Sequence, residues 1–365
     1  MFENFSIRKF DFLLTVMVLA LTLIGILAIR SAAPSLMDRQ VMGLGIGILA
    51  LIAAAVIDYR KLLDFYWGFY VFAVLMLVSV LLFGSTGGGA RRWITLGGLT
   101  FQPSEAAKLL LILFYSALII KLRRSVHWLL MPVIVLALAV APAFLIVKEP
   151  DLSTALVFMI IVCSLLFAGG LDYKIIFGAI AVMIPCAALL IFMILQPDQT
   201  LLNTYQQSRI LAWIHPEEYA STTAYQTIKS MTAIGSGRLM GKGYNTTTIS
   251  SLLNTGFISQ AQTDFIYAVI GEEFGFIGCS LVALLLLGIC VRCFSIASRA
   301  RNLRGRILAS GIGAWIGFQG FINIFVTIGL LPNTGIPLPF VSYGLTSLVS
   351  LFAGIGCVLS VGMRG

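Results

Sequence analysis

The chain has 365 residues, of which 59% are hydrophobic and 11% charged, and its mean hydropathy is +1.00. No soluble core holds so much apolar side chain, so the composition excludes a soluble enzyme and points to a bundle of membrane helices. The net charge of +9 (24 Lys and Arg against 15 Asp and Glu) does not indicate nucleic acid, because its placement follows a membrane.

Apolar runs of roughly 17 to 25 residues are the unit that crosses a bilayer. Ten are predicted: Phe12–Ile29, Val41–Ile57, Phe65–Phe83, Glu105–Ile120, Trp128–Val147, Leu152–Gly170, Ile175–Leu195, Phe265–Val291, Ile307–Leu331 and Phe340–Met363. The fourth reaches spanning length only by taking Glu105 and Lys108 into the helix. The expected fold is an all-α integral membrane protein of about ten transmembrane helices, one polytopic domain over 1–365, with both termini cytoplasmic.

On that topology the cytoplasmic bases are Arg8, Lys9, Arg60, Lys61, Lys121, Arg123, Arg124, Lys174, Arg292, Arg299, Arg301, Arg304, Arg306 and Arg364. Only Glu3, Asp11, Asp58, Asp64 and Asp172 oppose them, so the whole excess of positive charge is cytoplasmic. That is the positive-inside pattern, and it favours contact with anionic lipid.

In chain order, Ser31-Ala-Ala33 faintly resembles a signal-peptidase site, but the long apolar run before it favours an uncleaved first span. The outer loop Gly84–Pro103 holds Gly87-Gly-Gly-Ala-Arg-Arg-Trp93. Paired arginines with a tryptophan suit a phosphate at headgroup level, or simply a basic interfacial turn. Pro103 and Ser104 then mark a helix start, and Glu105 and Lys108 are spaced to pair on one helical face. Whether that pair is structural or lines a cavity stays open at this point.

The fifth span ends at Lys148-Glu-Pro-Asp-Leu-Ser-Thr154, another outer charged turn. The long segment 196–264 between spans seven and eight carries Tyr205, Trp213, Tyr219, Tyr225 and Met231, so short amphipathic helices on the outer surface are expected. Within it, Gly235-Ser-Gly-Arg-Leu-Met-Gly-Lys-Gly243 fails as a nucleotide phosphate loop. Ser236 stands at the first required glycine and neither Ser nor Thr follows Lys242. A basic turn able to approach a lipid-linked pyrophosphate remains.

Gln260-Ala-Gln-Thr-Asp-Phe-Ile-Tyr-Ala-Val-Ile-Gly-Glu-Glu-Phe-Gly275 places Asp264 at the mouth of the eighth span and Glu272 and Glu273 about two turns inside it. An acid there either caps the helix or does chemistry. Gly329–Gly344, with three prolines, cannot be continuous helix and must be buried in protein or line a cavity. Gln319 and Asn323, four apart, give the ninth span a polar stripe. The six cysteines read as packing residues, since one CxxC pair without histidine does not make a metal site.

Together these stretches resemble the shape, elongation, division and sporulation family, the RodA and FtsW polymerases. The resemblance is carried by Gly89-Ala-Arg-Arg-Trp93, Gln102-Pro-Ser-Glu105 with Lys108, Pro150-Asp-Leu-Ser-Thr154, Ala233-Ile-Gly-Ser-Gly237, Gly241-Lys-Gly243, Thr263-Asp-Phe-Ile266 with Glu272-Glu273, and Leu331-Pro332 through Ser342-Tyr-Gly344. The short ends look more like RodA than FtsW. The resemblance implies an enzyme polymerising lipid II into peptidoglycan strands on the outer face of the membrane, with Asp264 as the catalytic carboxylate. It implies that Arg92, Glu105 and Lys108 line an outward cavity and that a class B penicillin-binding protein is the partner.

The chain departs from the family at Ile258-Ser-Gln-Ala-Gln262, where no histidine precedes Thr263-Asp264. A single base is expected to suffice, since a pyrophosphate leaves without an acid if cations stabilise it. Arg92, Lys108, Arg209 and Lys242 are the candidate cations, and Glu272 joins the substrate-binding set. A divalent ion on the pyrophosphate is conceivable, although no acidic cluster dedicates a site to one. The rival class is a lipid II flippase or another polyprenyl-lipid carrier, which also uses acids within spans and broken helices.

Overall fold

The computed structural model describes residues 6–87, 90–96, 99–127, 130–175, 178, 181, 185, 193, 204–245 and 260–364. Among them, seven helices are long and apolar enough to cross a membrane, and they coincide with expected spans one, two, three, five, eight, nine and ten. The sixth is a shorter apolar helix, Leu152–Ala168. Expected span seven, Ile175–Leu195, falls almost wholly outside the described residues, as does Cys186.

In chain order the helices are α1 (Phe12–Ala32), α2 (Met37–Val56), α3 (Tyr59–Asp64), α4 (Tyr66–Phe83), α5 (Pro103–Ser125), α6 (Leu130–Lys148), α7 (Leu152–Ala168), α8 (Thr204–Ile214), α9 (Tyr225–Ser236), α10 (Ile266–Arg299), α11 (Leu303–Thr327) and α12 (Leu345–Arg364). Short polar side chains set several starts. Asp11 accepts from the Leu14 amide at 2.9 Å, Asp58 from Arg60 at 2.9 Å and Asp151 from Thr154 at 3.1 Å, each satisfying a helix N–H that has no partner within its own helix.

The weakly apolar fourth span is explained by its position. Helix α5 is buried on nearly every side over Ala107–Ile120, against α4, α7, α11 and α12. A helix enclosed by other helices need not match lipid, so it tolerates Glu105 and Lys108 where a peripheral helix would not.

Two features depart from the sequence reading. The loop after α4 is not an irregular turn. It forms a three-stranded antiparallel sheet, β1 (Ser85–Gly87), β2 (Ala90–Leu96) and β3 (Leu99–Phe101), with Ser85 opposite Trp93 and Ile94 opposite Phe101. The all-α fold therefore carries one small sheet over the end of the bundle.

The second departure is in α10, where Gly275 (φ 62°, ψ −157°) breaks the helix. Before the break, Ile266–Glu273 is buried throughout; after it, Phe276, Ile277, Leu281, Leu284, Leu287, Val291 and Phe294 are exposed at helical spacing. The exposed apolar surface of α10 is thus confined to the part after Gly275, and Glu272 and Glu273 lie in the enclosed part before it. The 238–243 loop satisfies the freed backbone groups: Phe276 and Ile277 donate to the carbonyls of Arg238 and Leu239 at 2.8 and 3.2 Å, and Lys242 and Gly243 donate to those of Glu272 and Glu273 at 2.9 and 3.1 Å. Only glycine permits the approach, since a Cβ on Gly241 would lie 2.0 Å from the Glu273 carbonyl oxygen.

Candidate active site

Asp264 sits in the turn that feeds α10, half-buried, with its amide donating to the Gln260 carbonyl at 3.2 Å. Of its two possible roles, capping is not the one adopted, because α10 has Phe265 at its N-cap and no side-chain cap bond. The proline-rich loop 329–344 wraps this turn instead. Tyr343 donates to the Gln262 carbonyl at 2.9 Å, and the Ser342 hydroxyl donates to the carbonyl of Thr263 while accepting from the Leu338 amide.

The polar stripe on α11 supports that irregular backbone. Asn323 donates to the carbonyls of Asp264 and Ile336 at 2.8 and 2.7 Å, and Gln319 donates to Pro337 at 3.1 Å. Irregular chain at this depth persists because buried side chains meet its carbonyls. The result is an acid held on a rigid platform.

Two cations face it. Arg92, reaching from β2, donates to the carbonyls of Glu149 and Pro150 and pairs with Asp151 at 3.7 Å. Arg209, from α8, donates to the Asn333 carbonyl at 3.1 Å. A Cβ added to Gly335 would lie 3.3 Å from Asp264 Oδ2 and 3.9 Å from Arg92 Nη1, so the carboxylate and guanidinium are within about 7 Å of each other. Desolvation pushes the Asp264 carboxyl up to about 6, against the opposing pull of the Arg209 and Arg92 charges, with Asp151 adding to the rise. That value suits a base working near neutrality.

Glu105 and Lys108 are elsewhere in the design. They pair at 2.7 Å with each side chain only 1% exposed, Lys108 also donates to Gln319 at 2.6 Å, and the Ser347 hydroxyl donates to Glu105 at 2.8 Å. Trp315 donates to the same Gln319 oxygen at 2.7 Å. The pair joins α5 to α11 and α12 directly beneath the proline-rich loop. Lys242 and Glu272 pair with each other at 2.8 Å at the break in α10, eight residues or about 12 Å along the helix from Asp264. Glu273 accepts from the Ser31 hydroxyl and from the Asn245 amide at 3.1 Å, which ties α1 to the same loop.

Of the predicted site residues, Asp264, Arg92 and Arg209 converge, while the other four form two buried or half-buried pairs. The sequence reading omitted Asp151 and Glu149. Asp151 followed by Leu-Ser-Thr reads as an ordinary helix cap, and its second role with Arg92 joins positions 59 apart, which no local spacing reveals. Glu149 is fully buried with both carboxyl oxygens lacking a hydrogen-bond partner among the described residues.

The FtsW/RodA/SpoVE cell cycle protein family model matches residues 5–364. The chain belongs to this family. It is 34% identical over 348 residues to the Escherichia coli K12 peptidoglycan glycosyltransferase MrdB, covering 94% of this chain and 90% of that one. It is 33% identical over 375 residues to the probable peptidoglycan glycosyltransferase FtsW of Geobacter metallireducens, covering 98% and 96%. Among solved structures it resembles Thermus thermophilus RodA, with a TM-score of 0.71 and 28% identity, covering 97% and 96%. It also resembles a chain from work described as structural coordination of polymerization and crosslinking by a peptidoglycan synthase complex, with a TM-score of 0.80 and 29% identity over 97% of each.

Proposed function

We propose that this protein is a peptidoglycan glycosyltransferase that polymerises lipid II on the outer face of the cytoplasmic membrane, with Asp264 as general base. The observation that carries the reading is Asp264 itself: an acid at a helix mouth, its pKa pushed up to about 6, with Arg92 and Arg209 alongside. In the reaction, the 4-hydroxyl oxygen of the acceptor N-acetylglucosamine forms a bond to the anomeric carbon of the donor N-acetylmuramic acid. Its proton passes to Asp264, and the bond from that carbon to the pyrophosphate oxygen breaks with inversion. General-base help of this kind is worth about 10²–10⁴ in rate.

The leaving undecaprenyl pyrophosphate carries its negative charge past Arg92 and Arg209, whose guanidinium groups suit bidentate contact with phosphate. Lys108 has no such freedom, being shared by Glu105 and Gln319. A divalent ion, if one accompanies the pyrophosphate, would be held mainly by substrate oxygens. Among the described residues no group of three His, Cys, Asp or Glu is placed to ligate it, and Asp151 is already engaged by Arg92 and Thr154.

The partner we assign is a class B penicillin-binding protein that cross-links the strands, supported by the likeness to a chain of a synthase complex. The test is strand synthesis from purified lipid II by the Asp264→Asn protein, resolved on a gel. Loss of product with the protein still folded supports the reading, and wild-type product from the variant removes Asp264 from the mechanism. Movement of labelled lipid II across the membrane with no glycan formed would mean a carrier instead.

A further inference from the structure

We infer that the cavity beside Arg209 is a saccharide subsite that holds one N-acetylhexosamine ring next to Asp264. This rests on the glycosyltransferase reading above and adds where a sugar is gripped. The cavity is an open cleft between α8, α9 and the loop after α11. Arg209, Trp213, Thr227, Met231, Pro332 and Asn333 are among its walls.

Three observations give the occupant's chemistry. The walls mix surfaces as a sugar does. Trp213 is 38% exposed and offers a broad apolar face for the C–H side of a pyranose, while Arg209, Thr227 and Asn333 offer donors and acceptors for its hydroxyls and acetamido group. Hydrogen-bonding capacity is also left over. Asn333 is a wall residue and Thr334 is next to it in sequence, and the Asn333 Oδ1 and Thr334 hydroxyl are buried with no partner among the described residues. Such atoms are expensive to leave unmet, and a ligand hydroxyl or N–H would meet them.

The third observation is position. Helices α8 and α9, of 11 and 12 residues, are too short to cross a bilayer, so the cavity belongs to the layer that receives the polar end of a lipid-linked sugar. The polyprenyl chain has no reason to enter it. The cavity is joined to the carboxylate through two routes. Arg209 donates to the Asn333 carbonyl while its charge acts on Asp264, and Gly335, two residues beyond Asn333, lies against Asp264 Oδ2. A ring in the cavity would therefore touch Arg209 and Asn333, the two wall residues that connect to the base.

The experiment uses the purified full chain with Trp213→Ala and Trp213→Phe. Trp213→Ala is expected to raise KM for the saccharide substrate at least fivefold with kcat within about twofold, and Trp213→Phe to restore most of the affinity. In parallel, tryptophan fluorescence of the wild type is titrated with a soluble tetramer of β-1,4-linked N-acetylglucosamine. A saturable change that is absent from Trp213→Phe is expected. This second arm reads binding without turnover, so a wild type that makes no glycan defeats the glycosyltransferase reading while the titration still decides the subsite.

Two sources of the ring are separated by substrate. A raised KM for preformed lipid-linked strands, with shorter products, places the strand end in the cavity. A raised KM for lipid II at saturating strand places the donor there. The proposal is overturned if the titration shows no saturable change, if Trp213→Ala leaves both KM values unaltered, or if it lowers kcat alone without rescue by Trp213→Phe.

Discussion

Gly335 backs onto the Asp264 carboxyl so closely that a side-chain carbon there would stand 3.3 Å from Oδ2. Its φ of 68° is also one that side-chain-bearing residues rarely adopt. Gly335→Ala therefore adds backbone strain of about 1–3 kcal/mol and presses on the base at once. We expect strand synthesis to fall at least tenfold while the protein still purifies as a folded species. Unchanged activity with unchanged melting would mean the loop does not position Asp264.

A base must be ionised to accept a proton, and the Asp264 carboxyl is pushed up to about 6. The rate of strand synthesis should rise with pH through about 6 and level off above about 7, falling roughly tenfold for each unit below. Because the Arg209 charge holds that carboxyl down, Arg209→Ala should move the acidic limb to higher pH. A limb that stays in place, or moves to lower pH, would show that Arg209 does not act on Asp264.

Glu149 supplies a prediction about stability alone. Its buried carboxyl is pushed up from 4.5 to about 8 by desolvation first and the Asp151 charge second, with Arg92 opposing. A carboxyl that keeps its proton longer when folded takes up protons on folding, so its contribution to stability is whole below about 4.5 and is lost as pH rises through about 8. Glu149→Gln has no proton to lose. The variant should melt close to the wild type at pH 5 and above it at pH 8, and a gap that narrows with rising pH would contradict the burial of Glu149.

Much of this arrangement is legible in the sequence, and the part that is not has a physical reason. Spans are plain because lipid demands long apolar runs, and Asp264 stands out as an acid at the mouth of one. The break at Gly275 is hidden because Glu272-Glu-Phe-Gly-Phe-Ile277 continues an apolar stretch, while the groups that satisfy the break come from residues 238–243, far earlier in the chain. Arg92 and Arg209 stand among the candidate cations in the sequence, but that the sheet and α8 bring these two to one carboxylate is not visible from their spacing. Gln319 and Asn323 are visible as a stripe, yet their targets are backbone carbonyls, which spacing cannot name.

The Glu105–Lys108 pair separates two roles that its spacing left open. If Lys108 holds substrate phosphate, Lys108→Met should lose activity at unchanged stability. The structure instead has it closed inside the bundle, serving Glu105 and Gln319 at 2.7 and 2.6 Å. Removing either partner of such a pair leaves an uncompensated buried charge or an unmet acceptor, at a cost of about 3–5 kcal/mol. Lys108→Met and Glu105→Gln should therefore each lower the melting temperature in detergent. The double variant should lose clearly less than the two separate losses combined, because it removes the charge that each single change strands. Additive losses would mean the two side chains do not act as a pair, and a Lys108→Met protein of wild-type stability that makes no strands would return Lys108 to the pyrophosphate.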